Sequence, residues 1–296
     1  MKILVVGKEG QLAQSLREAG HHHGINLVAV GRPDLDLLDR DSIARAIHHT
    51  DPQLVINASA YTSVDRAESE PERAFAINAA GAGWVAELCR HNDVPIIHVS
   101  TDYVFDGSNP EPYVEDDRVA PIGVYGQSKL EGEQRVAAAN PKHIILRTAW
   151  VISPFGNNFL KTMLRLAGSR NEIDVVNDQT GSPTYAPHLA KAILSIARLV
   201  HAQAATTQHE LWGIFHATAP DEATWYDLAR EIFQQSARSG GPNPRVHPIA
   251  TVDYPTPARR PANSRLDCRK LARVFGLYLP GWRQGVAECV ARLCSR

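Results

Sequence analysis

Five short runs of consecutive apolar and β-branched residues recur through the first half of the chain: Lys2 to Val6, Asn26 to Val30, Leu54 to Asn57, Pro95 to Val99 and His143 to Arg147. None alternates polar with apolar in the manner of a strand with one wet face, so each needs cover on both faces. Helical patterns fill the gaps. Asp41 opens Asp41-Ser42-Ile43-Ala44-Arg45-Ala46-Ile47, and the segment from Glu72 to Cys89 carries apolar residues at helical spacing with several alanines. Strands covered twice and each followed by a helix fold most economically as βαβ units, so the predicted class is α/β with a parallel, doubly wound sheet.

The rhythm loosens after about Trp150, where Pro154-Phe155-Gly156-Asn157-Asn158 and Gly181-Ser182-Pro183-Thr184 interrupt shorter elements. Residues 1–150 are therefore expected to form one unit. Residues 151–296 form a smaller α/β unit, with some later segments returning to the first. The stretch from Gly240 through Pro261 holds Pro242, Pro244, Pro248, Pro255, Pro257 and Pro261. It reads either as a binding loop or lid, or as a surface wrap.

Charge narrows the partners. Thirty-one Lys and Arg against 32 Asp and Glu leave a net charge of −1, so no global field gathers nucleic acid or an anionic membrane. No apolar run approaches the roughly 18 residues of a spanning helix, and the first run is cut by Gly7-Lys8-Glu9-Gly10 before it could serve as a signal peptide. Cys89, Cys268, Cys289 and Cys294 lack C-x-x-C spacing and read as reduced thiols. The expectation is a cytoplasmic protein.

Gly7-Lys8-Glu9-Gly10-Gln11-Leu12-Ala13 follows the first strand and opens a helix. Glycines at such a turn let backbone N–H groups approach a pyrophosphate at the positive helix end, and Ala13 permits close helix–strand packing. This is the context of dinucleotide binding in a Rossmann-type sheet. After the second strand, Val30-Gly31-Arg32 stands where an acid would bind an NAD ribose. Arg32 suits a 2′-phosphate instead, which favours NADPH while leaving NADH possible. Asp36 and Leu37 then flank the adenine.

Tyr125-Gly126-Gln127-Ser128-Lys129 begins another helix, with Tyr125 and Lys129 one turn apart on one face. An ammonium beside a phenol stabilises tyrosinate, so the spacing predicts a lowered Tyr125 pKa and proton exchange with a carbonyl or alcohol oxygen. Ser100-Thr101-Asp102-Tyr103 lies at the end of the fourth strand, on the edge that borders the ligand crevice of a doubly wound sheet. Thr101 could hydrogen-bond the same oxygen, which makes a hydride-transfer site.

Gly7-x-x-Gly10-x-x-Ala13, Asn57-Ala58-Ser59-Ala60, Ser100 to Phe105 and Tyr125-x-x-x-Lys129 together resemble the extended short-chain dehydrogenase/reductases. Thr62 to Glu68, Asn177-Asp178-Gln179 and Arg260 to Leu266 extend the likeness over nearly the whole chain, toward the branch that reduces the C4 ketone of a dTDP-sugar. The resemblance implies Thr101, Tyr125 and Lys129 as catalytic residues. Around the cofactor it implies Gly10, Gln11, Leu12, Asp36, Leu37, Ala60, Tyr61 and Thr62, beside Gly7, Arg32, Val99, Tyr125 and Lys129. Thr101, Asp102 and Trp150 would meet the sugar. A dehydratase of this superfamily resembles Thr-Asp-Glu after the fourth strand; here Tyr103 occupies the third place. A nucleotide-sugar epimerase and a non-catalytic NADP-binding subunit remain as alternatives. Some relatives are bridged into dimers by magnesium on glutamates, but Ser15 and Pro187 occupy two of those places. The expectation is a monomer or a metal-free homodimer, with no metal site.

Other features have plainer readings. His21-His22-His23 is a solvated turn, Glu115-Asp116-Asp117 a solvated loop, and Asp65, Glu68, Glu70 and Glu72 charge the start of a helix. Trp212, Phe215, Trp225 and Tyr226 read as core of the smaller unit.

Overall fold

A computed structural model describes residues 1–22, 24–202 and 209–294. Its elements run β1 (Lys2–Val6), α1 (Gln11–His22), β2 (Asn26–Val30), α2 (Arg40–Thr50), β3 (Leu54–Asn57), α3 (Val64–Ala67), α4 (Pro71–Phe75), a π-helical stretch (Ala76–Gly81), α5 (Ala82–His91), β4 (Ile96–Thr101) and α6 (Val124–Ala139). They continue with β5 (His143–Thr148), β6 (Val151–Ile152), α7 (Phe159–Ala167), β7 (Glu172–Val176), β8 (Thr180–Gly181), β9 (Thr184–Tyr185), α8 (Ala186–Ala202) and β10 (Gly213–His216). The last are β11 (Ala223–Thr224), α9 (Trp225–Arg238), β12 (Arg245–Ile249), α10 (Arg269–Phe275) and α11 (Trp282–Cys294).

The five apolar runs become β1 to β5, joined by β10 in one parallel sheet of order β10-β5-β4-β3-β1-β2. The fold is Rossmann-type α/β. Successive residues of a strand point to opposite faces, and both faces are dry. Ile3, Val5, Ile56 and Ile97 meet Leu16 of α1 and Leu189, Ile193 and Ile196 of α8. Leu4, Val55, Ile96 and Ile145 meet Ile43 and Ile47 of α2, Val85 of α5 and Val136 of α6. The strand order reverses between β1 and β3, so the loops after their carboxyl ends diverge around a crevice. A further core gathers α7, α9 and α11 over the parallel pair β7 and β12.

Three expectations change. The helix from Glu72 is not uniform: a π-helical stretch carries buried Asn78, whose carboxamide bonds outside its own helix. Gly132 of α6 lies so close that a Cβ there would stand 2.1 Å from the Asn78 carbonyl oxygen, so only glycine permits this approach. The proline-rich stretch contains β12, with Pro248 tolerated in a strand that pairs on one side only. Phe215 is fully buried, and Trp212 packs beside it, in the core of the six-stranded sheet, because β10 returns to that sheet's edge. Trp225 and Tyr226 pack on the other core. His21 and His22 close α1, whereas His23 lies outside the described residues. Among the described residues, no helix is long and apolar enough to cross a membrane.

Candidate active site

The catalytic candidates meet where β4 ends and α6 begins. The first N–H of α6, on Val124, donates to Glu68 Oε1 at 2.9 Å, placing a carboxylate at the positive end of that helix. Glu68 therefore serves a helix distant in sequence. The next residue, Tyr125, packs edge-on against Tyr103, with ring centroids 5.6 Å apart, and sets its phenol beside the Thr101 hydroxyl. Thr101 Oγ1 donates to Asp102 Oδ1 at 3.0 Å and accepts from the Tyr103 N–H. Lys129, only 2% exposed, donates from Nζ to the Val99 carbonyl at 2.7 Å and stands 3.4 Å from His98 Nε2.

The electrostatics differ from the expected pattern. Desolvation pushes the Tyr125 phenol up to about 12, against the lowering influence of Thr101 and with a further push from the Asp102 charge. Lys129 does not reverse this, because its nitrogen is drawn down onto β4 and its own value falls to about 8 by burial, with Glu133 opposing. The phenol thus stays protonated through neutral pH. That is the form a proton donor needs.

Asp102 is 1% exposed, and burial raises its carboxyl to about 6 although the Ser264 and Thr101 hydroxyls and backbone amides pull it down. A folded value above the unfolded value of about 3.9 means that ionisation costs stability. The cost is complete above pH 6 and absent below both values. Asp102→Asn is expected to stabilise the protein by roughly 2–3 kcal/mol at pH 7 and by nothing at pH 3, in urea titrations at the two pH values. An equal gain at both would show that the gain has another origin.

The nucleotide side is built on β1 and β2. Gly7 adopts φ +117°, which a side chain would strain, and its N–H closes onto the Val30 carbonyl at 2.8 Å. At Gly10 a Cβ would meet nothing within 4 Å, so the missing side chain leaves open room at the first turn of α1. That room and the unpaired first N–H groups of the helix fit a pyrophosphate. Gln11 is the first residue of α1, and its side chain ties that helix to the segment after β6 through Ser153 and Asn158, both at 2.9 Å. Leu12 and Leu37 are buried in the cores, so they can border a ligand only by their backbones. Arg32 is exposed, and the Asp36 side chain closes a turn onto the Leu38 N–H. Ala60, Tyr61 and Thr62 line the loop after β3, where the Tyr61 N–H is held by Asn78 Oδ1 at 2.7 Å.

Trp150 lies two residues beyond Thr148, the register partner of Thr101, stacks on Trp225 with centroids 3.5 Å apart, and takes a positive φ of 45°. Asp65 does not merely charge a helix. It pairs with Arg260 at 2.9 Å and ties the loop after β3 to the late loop.

The sequence assigns no role to Asn57, His98 or Asn78, although Asn57 opens one of the motifs that carry the resemblance. Each is a polar residue at or in an apolar run, and each is 1% exposed with side-chain partners. Asn78 Nδ2 reaches the Ser128 hydroxyl, which in turn donates to the Tyr125 carbonyl, so it braces α6 from beneath. A polar side chain interrupting an apolar run was the available signal, since buried polar groups require partners.

A doubly wound sheet carrying a threonine, a tyrosine and a lysine at its carboxyl edge, beside a glycine turn for a dinucleotide, defines an extended short-chain dehydrogenase/reductase. The RmlD substrate binding domain model matches residues 1–295, and the chain belongs to that family. It is 47% identical over 290 residues to the dTDP-4-dehydrorhamnose reductase of Sinorhizobium fredii, covering 98% of this chain and 97% of that one. A dTDP-4-dehydrorhamnose reductase from Clostridium acetobutylicum superposes with a TM-score of 0.91 at 35% identity, over 99% of each chain. The Bacillus anthracis reductase, solved in complex with NADP, gives 0.89 at 34% identity over 99% of this chain and 100% of that one.

Proposed function

We propose that this chain reduces the C4 ketone of dTDP-4-dehydro-L-rhamnose with NADPH, yielding dTDP-L-rhamnose, the last step in making that nucleotide sugar. The observation that carries the reading is the meeting of Thr101, protonated Tyr125 and Lys129 at the sheet's carboxyl edge, beside the open turn at Gly10. NADPH, when bound, supplies the hydride to C4. Thr101 turns its one hydroxyl proton from Asp102 to the ketone oxygen and polarises the carbonyl. Tyr125 gives that oxygen its phenolic proton, and Lys129, one helical turn further along α6, retains its own proton at pH 7 and keeps a positive charge in the site as the tyrosinate forms. Asp102 and Trp150 bound the sugar.

Gly10, Gln11 and Leu12 hold the pyrophosphate through backbone N–H groups at the turn that Gly7 shapes, with Asp36, Leu37, Ala60, Tyr61, Thr62 and Val99 bordering the rest of the cofactor. Arg32 supplies a cation for a 2′-phosphate, which favours NADPH over NADH. Residues 1–150 form the cofactor unit and residues 151–296 mainly the sugar unit. We place the enzyme in the cytoplasm, where NADPH is supplied and unpaired thiols persist; all four cysteines are free. Ser15 is buried and donates to the Gln11 carbonyl, and Pro187 offers no oxygen ligand, so we favour a monomer or metal-free homodimer.

The test is NADPH oxidation at 340 nm with dTDP-4-dehydro-L-rhamnose, repeated with NADH, in EDTA. Substrate-dependent loss of absorbance, faster with NADPH, is the expected result. Tight NADPH binding without turnover would overturn the reading.

A further inference from the structure

Asn57, the last residue of β3, and His98, in the middle of β4, are register neighbours on the face covered by α2, α5 and α6. Both are 1% exposed. Asn57 Nδ2 lies 3.2 Å from His98 Nδ1, and Lys129 Nζ lies 3.4 Å from His98 Nε2. The Asn57 amide has a fixed orientation, because its Oδ1 accepts the Ser59 N–H at 3.2 Å. Its NH₂ group therefore faces the ring and donates, so Nδ1 is an acceptor. Burial and the Lys129 charge hold His98 well below its ordinary pKa, so the imidazole is neutral and its single proton is on Nε2. That N–H points at Lys129. An ammonium has three donors and no acceptor, whereas an amine has a lone pair to receive it.

We infer that His98 is a positioning residue for Lys129: the chain Ser59 N–H, Asn57, His98 aims an imidazole N–H at Nζ and makes the amine form of Lys129 accessible during turnover. The inference rests on the reductase reading. Each reduction leaves Tyr125 without its proton. A water molecule carries a proton from the Lys129 ammonium to the tyrosinate, the amine that remains accepts the His98 N–H, and solvent returns a proton to the amine. One solvent proton is consumed per hydride delivered, so the step balances.

The groups around Lys129 are few. On α6 they are Tyr125, one turn before it, and Glu133, one turn after. Glu133 favours the ammonium but is itself engaged by Arg147 of β5 at 2.7 Å. β4 contributes His98 and the Val99 carbonyl, which accepts from either form, and β3 contributes the uncharged Asn57.

Asn57→Asp replaces the donor with an acceptor, so the imidazole proton moves to Nδ1 and Nε2 accepts from the ammonium. His98→Met removes the N–H without adding charge or another N–H donor. Both variants are expected to move the alkaline limb of the kcat profile up by about one pH unit. One unit above the wild-type midpoint, each would then keep about five-fold more of its own maximum. An unmoved limb in both folded variants would overturn the inference. Independently of either variant's folding, ¹⁵N NMR of histidine-labelled wild-type enzyme should show His98 protonated at Nε2. Protonation at Nδ1 would also overturn it. Absence of wild-type turnover would sink the reductase reading, and the NMR result would still decide the tautomer.

Discussion

Tyr125→Phe is expected to lower kcat by on the order of 10²-fold or more while NADPH affinity stays within a few-fold of wild type. The phenol holds its proton firmly at neutral pH, at about 12, and phenylalanine keeps its ring against Tyr103 at little packing cost. The loss therefore falls on the transition state, where oxygen gains charge, and kcat drops with kcat/KM. Thr101 survives the exchange and still donates to the ketone, so residual turnover above the uncatalysed rate should persist. A variant with wild-type kcat would remove Tyr125 from the reaction. One that no longer binds NADPH would mean the ring supports the cofactor rather than the chemistry. Fluorescence titration of NADPH beside single-turnover rates separates the two.

The elements legible in the sequence were those whose signal is local. Lys2 to Val6 and the runs like it declare a doubly covered sheet by composition alone, and Tyr125 and Lys129 share a face because a helix turns every 3.6 residues. Where their atoms go is a tertiary matter. Spacing placed the ammonium beside the phenol, yet Lys129 Nζ is held by Val99 and faces His98, so the predicted lowering of Tyr125 gives way to desolvation. Asn57 and His98 become partners only because β3 pairs with β4. Glu68 reads as charge on its own helix until the fold delivers it to the start of α6, 56 residues on. Phe215 joins the first core because β10 adds to a sheet whose other strands were complete by Thr148, a return that no periodicity in β10 announces.

Glu133→Gln is expected to cost about 3–5 kcal/mol of stability, lowering Tm by on the order of 10 °C. Glu133 and Arg147 are each 2% exposed and paired at 3.0 and 2.7 Å, with the guanidinium 5.1 Å from the centre of the Phe105 ring. Arg147 cannot shed its charge, so a neutral partner leaves a buried cation uncompensated. Replacing both, as Glu133→Leu with Arg147→Met, removes the charge as well as the pairing and should recover most of the loss. If the double variant were as unstable as Glu133→Gln, the penalty would lie in packing and not in the orphaned charge. Glu133 also favours the Lys129 ammonium, so its loss should lower Lys129 below its value of about 8 and move the alkaline limb of kcat down. Asn57→Asp moves the same limb up. Opposite displacements from the two sides of one nitrogen would identify Lys129 as the group that titrates, because a general loosening of the fold would move both variants the same way.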